Sequence, residues 1–237
     1  LLSGILFATA TLYFEISILI HLGSVCLFAL LSSLAVASYL LKKDREAGGN
    51  KLRFGRPDKF IFYTGLVVFC AAVCEGGIYD WSSVYFKEVV QAELFTLSYL
   101  VFMISMTLSR FFTDVLVEMM GMKKVFTLSA SVVVLGVLIL ILFPSFYLAL
   151  IGFFITGLGV ASIFPMSFSL ASQSKKYAPG MAISIVGTYA TVGVLLAPPF
   201  VGYVAHQFNL NLAFLIFVIA ALLLIVFSRR AYRHILN

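Results

Sequence analysis

Apolar and polar positions follow one another along this chain in long blocks. Seven long apolar runs are separated by shorter polar gaps. They cover residues 16–41, 60–80, 94–112, 125–143, 147–170, 180–203 and 212–228. Most have the length of about 20 residues that a helix needs to cross a hydrocarbon core of roughly 30 Å. Because a backbone in lipid must satisfy its own hydrogen bonds, the runs are expected to be helices. The pattern predicts an all-α polytopic membrane protein with seven transmembrane helices.

Residues 1–14 form a further, shorter apolar stretch without any charge. At 1.5 Å per residue it reaches only ~21 Å, which is too short to span a bilayer. It has neither the basic leader nor the small-residue cleavage site of a signal peptide. We interpret it as the outer end of a partial helix that turns at Glu15 into the first full span. The chain, which begins at Leu1, is therefore expected to be a fragment of a longer membrane protein.

The distribution of charge supports this topology. The chain is 62% hydrophobic and only 11% charged, whereas a soluble domain carries about 25% charged residues. Of the 16 Lys and Arg residues, 15 lie in alternate gaps, at 42–59, 110–124, 175–176 and 229–233, and only Lys87 lies on the other side. The positive-inside rule places those gaps, including the C-terminus, in the cytoplasm. A bacterial inner membrane is the expected location. No basic patch interleaves with base-stacking aromatics, which argues against nucleic-acid binding.

The long polar gap predicts the domain organisation. Residues 42–59 contain the helix breakers Gly48 and Gly49 and read as a linker between two helical bundles. Residues 1–41 would end the first bundle, and residues 60–237 would form a second bundle of six helices. Small residues in the fifth and sixth runs permit close helix approach, either in helices that slide or in a static bundle. Pro198 and Pro199 are expected to kink or end the sixth helix.

The segment S-R-F-F-T-D-V-L-V-E-M-M-G-M-K-K, residues 109–124, lies in one of the basic gaps. It resembles the loop G-R-x-x-x-D-x-x-x-x-x-x-G-x-[RK]-[RK] of the major facilitator superfamily, in the copy found in the C-terminal half. Ser109 replaces the usual glycine by another small residue. The matching residues are Arg110, Asp114, Gly121, Lys123 and Lys124.

Two other stretches are similar to the fucose-permease-like (YbjJ-type) branch of that family. Residues 74–85 resemble its E-G-x-x-x-D-W-S-x-V-Y segment, and residues 187–202 resemble its penultimate helix. The resemblance implies that the seven runs are the sixth to twelfth helices of a twelve-helix transporter. It also implies that the missing N-terminal half of the same protein is a partner of this chain, together with the lipid bilayer.

Arg110 and Asp114 stand four residues apart, so they share a face if the helix continues through them. The resemblance implies that the aspartate meets the N-terminal end of a neighbouring helix, where partial positive charge favours an anion. Such contacts would form a latch, with Gly121, Lys123 and Lys124, that breaks when the cytoplasmic side opens. The alternative is an ordinary interfacial ion pair worth ~0–1 kcal/mol.

Glu75 is the one acid inside an apolar run rather than at its edge, about five residues, or ~8 Å, from the outer end. Acids at membrane depth often mark a proton or substrate path, although a structural acid bonded to a neighbouring helix is the alternative. Tyr99, Thr188 and Tyr189 lie within runs and are candidates to orient a substrate. Asp80 is expected at the external interface, in an aromatic belt with Tyr79, Trp81, Tyr85 and Phe86.

No metal site or cofactor is expected. His21, His206 and His234 are isolated along the sequence, and Cys26, Cys70 and Cys74 lack ligand-like spacing. The cysteines are interpreted as small apolar filler.

These features favour a secondary active transporter that moves a small polar solute by alternating access. Proton coupling through Glu75 and a sugar-like solute are hypotheses, the second resting on the branch resemblance alone. The chain contains no P-loop G-x-x-x-x-G-K-[ST]. A membrane-embedded enzyme and a seven-helix receptor remain as alternatives. No G-x-S-x-G or histidine-rich motif supports the enzyme. The partial eighth apolar stretch, residues 1–14, does not fit a receptor with seven helices.

Overall fold

The structure is a computed structural model that describes residue 20, residues 23–24, 26–28 and 30–34, and residues 58–236. Contacts divide the chain into two units, Leu1–Gly55 and Arg56–Asn237. The described residues of the first unit are helical. Most of the predicted first span and nearly all of the predicted linker, residues 42–59, lie outside the described residues. The domain boundaries therefore remain predictions.

The second unit consists of helices joined by short connections. They are α1 (Lys59–Glu88), α2 (Thr96–Met120), α3 (Met122–Leu142), α4 (Phe146–Val160), α5 (Ile163–Ser172), α6 (Pro179–Gln207), α7 (Leu210–Ala213) and α8 (Leu215–Leu236). Counting α4 with α5 and α7 with α8, the described residues form six helical segments long and apolar enough to cross a membrane. The prediction of an all-helical membrane protein is confirmed.

Successive spans run in opposite directions, so the gaps between them lie alternately at the two ends of the bundle. Nearly all the cations lie at one of these ends, which we call the basic end. We define it by the residues where α1, α3 and α6 begin and where α2, α5 and α8 end. Its exposed cations include Lys59, Lys123, Lys124, Lys175, Lys176, Arg229, Arg230 and Arg233. This is the grouping that the charge pattern predicts. That the basic end faces the cytoplasm stays a prediction.

Small residues set the tightest helix contacts. α1 packs against α6 and α8, α4 against α2 and α3, and α3 against α8. A methyl group added at Gly193 of α6 would lie 2.7 Å from Ala72 Cβ and 2.8 Å from the Phe69 carbonyl oxygen of α1. At Gly157 of α4 it would lie 2.6 Å from the Phe102 carbonyl oxygen of α2. Glycine at these points lets backbones touch, which is how helices gain packing energy where lipid is as apolar as the side chains.

The three largest errors in the predicted helix ends are all in the same direction. The helix expected to end at Asp80 continues to Glu88, the one expected to end at Phe112 continues to Met120, and the one expected to end at Ser228 continues to Leu236. Isolated charges interrupt an apolar pattern without interrupting backbone hydrogen bonding, so hydropathy ends a run before the helix ends. Arg110, which begins the basic gap and lies near the end of the predicted run, is consequently near the middle of α2.

The predicted aromatic belt needs correction for the same reason. Tyr85 and Phe86 are fully buried within the bundle instead of lying at the interface. The Tyr85 hydroxyl donates to the Leu140 carbonyl oxygen at 2.6 Å and lies 3.0 Å from Asn211 Oδ1. A buried phenol is stable only when its hydroxyl has such partners.

Pro198 and Pro199 do not end their helix, because α6 runs through both to Gln207. Trp81 of α1 donates its indole N–H to the Pro198 carbonyl oxygen at 3.2 Å. This bond ties α1 to α6 beside the prolines. A kink at this point remains a prediction.

Candidate functional site

Glu75 and Arg110 lie at the same depth in the bundle. Glu75 is near the middle of α1, which ends at Glu88, and Arg110 is near the middle of the antiparallel α2, which begins at Thr96. From the helical rise per residue, each lies about 20 Å from that end of its helix. Glu75 is thus deeper than the sequence suggested.

The two side chains form an ion pair between α1 and α2. Glu75 Oε1 lies 3.7 Å from Arg110 Nη2, with Glu75 16% exposed and Arg110 44% exposed. The second carboxylate oxygen, Oε2, is buried and has no hydrogen-bond partner among the residues that the structure describes. An unpaired buried oxygen on a charged group is costly and points to a role other than stability.

This geometry corrects the predicted pairing of Arg110 with Asp114. Both residues do lie on one helix, four residues apart. However, Glu75–Arg110 is the one ion pair within 4 Å among the residues that the structure describes. The sequence indicated that Arg110 and Asp114 share a helix face, but it carried no signal that Glu75 of a different helix lies at the depth of Arg110.

Two cavities meet at this ion pair. One, of about 350 Å³, is lined by Glu75, Gly76, Tyr79, Asp80, Phe164 and Val194. The other, of about 560 Å³, extends toward the basic end and is lined by Arg110, Thr113, Asp114, Val117, Met122, Phe164, Pro165, Met166, Phe168 and Ser169. Glu75 lines the first and Arg110 the second, while Phe164 lines both. The ion pair and the Phe164 ring therefore form the boundary between the two cavities.

Phe164 is held at this boundary by an interrupted helix. α4 ends at Val160 and α5 begins at Ile163, which places Phe164 in the first turn of α5. Ser162, in the interruption, shares a hydrogen bond of 2.8 Å with Ser129 of α3. Pro165 follows, and a proline lacks the N–H that would continue the helical ladder backward. Sequence reasoning missed Phe164, although the Ser-Ile-Phe-Pro stretch inside an apolar run was an available signal.

The structure brings together only some of the predicted substrate residues. The Tyr99 ring lies 5.7 Å from the Tyr79 ring, centroid to centroid, and Tyr79 lines the cavity that contains Glu75. Tyr189 instead packs its ring against Gly65, ten residues before Glu75 on α1 and so ~15 Å away along that helix. Thr188 is exposed and donates its hydroxyl to Ser184 of its own helix.

The predicted latch residues lie on α2 and at its junction with α3. Gly121 has φ +81° and ψ 143°, a backbone conformation that is open essentially to glycine alone. Lys123 and Lys124 follow it, exposed in the first turn of α3. Asp114 is exposed and, within the described residues, accepts no hydrogen bond from a helix N-terminus. Ser109, which replaces the family glycine, donates to the Leu158 carbonyl oxygen of α4 at 2.8 Å.

The described residues contain no group of three or more His, Cys, Asp or Glu side chains that could hold a metal ion. His206 is exposed, His234 is half-buried, and His21 lies outside the described residues. Cys70 and Cys74 are buried, and Cys26 is exposed.

Comparisons with known proteins agree with this architecture. The family profile of the Major Facilitator Superfamily matches residues 99–234. The chain is 31% identical over 174 residues to an uncharacterized transporter, y4wD, of Sinorhizobium fredii, a match that covers 73% of this chain and 46% of that protein. It is 28% identical over 183 residues to an uncharacterized MFS-type transporter of Yersinia pestis, covering 76% of this chain and 47% of that protein.

Among solved structures, the fold is similar to that of a variant of the Escherichia coli fucose:proton symporter FucP. The TM-score is 0.66 at 18% identity, with 73% of this chain and 42% of that one covered. The chain spans about half the length of the curated relatives it matches. Because the family profile covers more than half of the chain and the membrane-spanning bundle has the same fold, this integral membrane protein belongs to the Major Facilitator Superfamily.

Proposed function

We propose that this chain forms the C-terminal part of a secondary active transporter, which moves a small polar solute by alternating access between two helical bundles. The observation that carries the proposal is the boundary at mid-depth. Two cavities lie on either side of the Glu75–Arg110 ion pair and the Phe164 ring. A carrier needs such a boundary, because a solute site must open to one side while it is closed to the other.

Glu75 is the group that we propose to carry a proton. It lies at membrane depth, where ionisable residues serve ion and proton paths, and its Oε2 atom has no partner in the described residues. Protonation would neutralise Glu75 and release Arg110 from its ion pair. Arg110 would then be free to turn into its own cavity, where Asp114 stands one helical turn away.

Asp114 is the residue that we propose to latch the basic end. It lines the same cavity as Arg110 and the first turn of α5. In the family pattern this aspartate meets a helix N-terminus, and among the described residues it has no such contact here. A contact of Asp114 with a helix N-terminus that forms only when the basic end closes would agree with the family pattern and with the absence of the contact here. Replacing Asp114 by Asn should slow transport while the protein stays in the membrane, and an unchanged rate would remove the latch.

A sugar is the solute class that we propose to test first. The support is the fold similarity to FucP, a fucose:proton symporter, together with the motif resemblance. The cavity beside Glu75 adds the Tyr79 side chain and a second carboxylate from Asp80, groups that hydrogen-bond to hydroxyls.

The test is solute flux in liposomes that contain the complete protein, with an imposed pH gradient. Fucose and other monosaccharides come first, then amino acids and organic acids. We expect accumulation of one solute that follows the pH gradient and stops when a protonophore collapses it. Accumulation that ignores the gradient would remove proton coupling but keep the carrier. Absence of flux for every solute class, with correctly folded protein, would overturn the transporter proposal for this chain.

A further inference from the structure

A cluster of Lys, Arg and His side chains lies near Tyr63 at the basic end of the bundle. Tyr63 lies in the second turn of α1, and Arg230 and His234 lie in the last turns of α8. The Arg230 guanidinium carbon is 5.7 Å from the centre of the Tyr63 ring. The His234 ring stacks on the same ring at 5.6 Å with an angle of 3° between the planes. Lys59, four residues before Tyr63, shares its helix face and is exposed.

These cations lack a carboxylate partner in the described part of the chain. No described Asp or Glu oxygen lies within 4 Å of Lys59, Arg230 or the neighbouring Arg233. The nearest acid in the sequence, Asp58, caps α1 by accepting the Ile61 N–H at 3.1 Å. Cations at the end of α8 do complement its helix dipole, but that effect needs no particular orientation. The Tyr63 ring orients the Arg230 guanidinium, which lowers the entropy cost of binding an anion.

An exposed apolar surface adjoins the cluster. Phe62 is 42% exposed and packs edge-on against Tyr63, with 5.7 Å between ring centroids. Val226, one turn before Arg230 on α8, is 45% exposed. A ligand that fits both parts has an anionic head and an apolar tail, and it lies where the membrane surface meets the hydrocarbon core.

We propose that Tyr63, Arg230, His234 and Lys59 form a binding site for the phosphate of an anionic phospholipid, with its acyl chain against Phe62 and Val226. The charge matches, because juxtamembrane Lys and Arg residues attract anionic lipids by about 1 kcal/mol each. The site differs from general surface attraction in having a fixed geometry, because the Tyr63 ring on α1 holds the Arg230 and His234 side chains of α8. It would clamp the first and last helices of the bundle together at one lipid.

The experiment measures binding of phosphatidylglycerol and of phosphatidylcholine to the complete protein, by native mass spectrometry and by lipid exchange in nanodiscs. We expect preferential retention of phosphatidylglycerol. Arg230→Gln should weaken it about fivefold, as loss of ~1 kcal/mol requires. Tyr63→Leu keeps every charge and should also weaken it, whereas Tyr63→Phe keeps the ring and should bind like the unaltered protein.

The matched control is Lys175→Gln, which removes one exposed charge at the same end of the bundle without contact to Tyr63. We expect it to leave phosphatidylglycerol binding unchanged. Equal weakening by Arg230→Gln and Lys175→Gln, or no effect of Tyr63→Leu, would reduce the site to nonspecific attraction and overturn the proposal. Displacement of the lipid by glycerol phosphate at millimolar concentration would also overturn it, because the site would then accept a soluble anion. Elution volume and melting temperature in detergent confirm that each variant is folded.

Discussion

α1 has two seams that differ in kind. Toward α6 it makes a close backbone contact, in which a methyl group added at Gly193 would lie 2.8 Å from the Phe69 carbonyl oxygen. Toward α2 it makes a polar contact, with Glu75 and Arg110 3.7 Å apart and a cavity on each side. The first seam fixes the relative position of two helices, and the second brings opposite charges together at the same depth.

The difference matters because the two seams contribute to stability to different extents. Close backbone contact is favourable in lipid, where packing and not hydrophobicity drives helix association. A partly buried ion pair with an unsatisfied oxygen gains little, because desolvation offsets the attraction. An ion pair at mid-depth that adds little stability points to a functional role, and the following tests ask whether the two seams differ in this way.

The largest expected effect comes from Glu75→Gln. The amide keeps the shape of the side chain but cannot exchange a proton, so accumulation driven by a pH gradient should fall about a hundredfold, which corresponds to ~2.7 kcal/mol. Solute flux in liposomes measures it. The control is Glu88→Gln, which changes an exposed carboxylate at the end of the same helix and should have little effect. Equal pH dependence of Glu75→Gln and the unaltered protein would assign Glu75 a structural role.

The close contact between α1 and α6 is tested by substitutions at two glycines of α6. Gly193→Ala should lower the free energy of unfolding by about 1–2 kcal/mol, because the added methyl group must displace Ala72 or the Phe69 carbonyl. Gly187→Ala is the control, since the nearest atom to its new methyl group would be Phe168 Cε1 at 4.0 Å. It should raise stability by about 0.5–1 kcal/mol through helix propensity. Unfolding by SDS in mixed micelles measures both, and equal effects would show that the seam has room to relax.

The polar seam is tested by a double-mutant cycle. Arg110→Gln and Glu75→Gln should each lower the free energy of unfolding by about 1 kcal/mol. The double variant should lose less than the sum of the two losses, with a coupling energy of ~0.5–1 kcal/mol. The value is modest because Arg110 is nearly half exposed. Unfolding in the same micelles gives the three differences. A coupling near zero would mean that the two side chains are neighbours without a significant interaction.

These seams also show what the sequence can and cannot predict. Hydropathy identified the all-helical class, and the alternation of Lys and Arg predicted which helix ends lie together at the basic end. Both follow from local composition. The match to the family loop identified Arg110 as a candidate functional residue, and the position of Glu75 inside an apolar run identified Glu75. Their pairing was missed because it depends on how far α1 and α2 extend beyond their apolar runs. Phe164 was missed because a phenylalanine in an apolar run gives no periodic signal, and its position depends on the interruption at Ser162.

The smallest expected effect concerns a polar contact inside a tight seam, between α2 and α4. Ser109 replaces the family glycine, and its hydroxyl donates to the Leu158 carbonyl at 2.8 Å, near the point where Gly157 touches Phe102. Interhelical hydrogen bonds in membranes are worth ~0.6 kcal/mol on average. Ser109→Ala should therefore lower the free energy of unfolding by a few tenths of a kcal/mol, since alanine returns part of the loss through helix propensity.

Ser131→Ala is the control, because the Ser131 hydroxyl donates to the Thr127 carbonyl oxygen of its own helix, and it should be neutral or slightly stabilising. A loss with Ser131→Ala as large as with Ser109→Ala would show that the contact between α2 and α4 rests on packing alone, with no contribution from the hydroxyl.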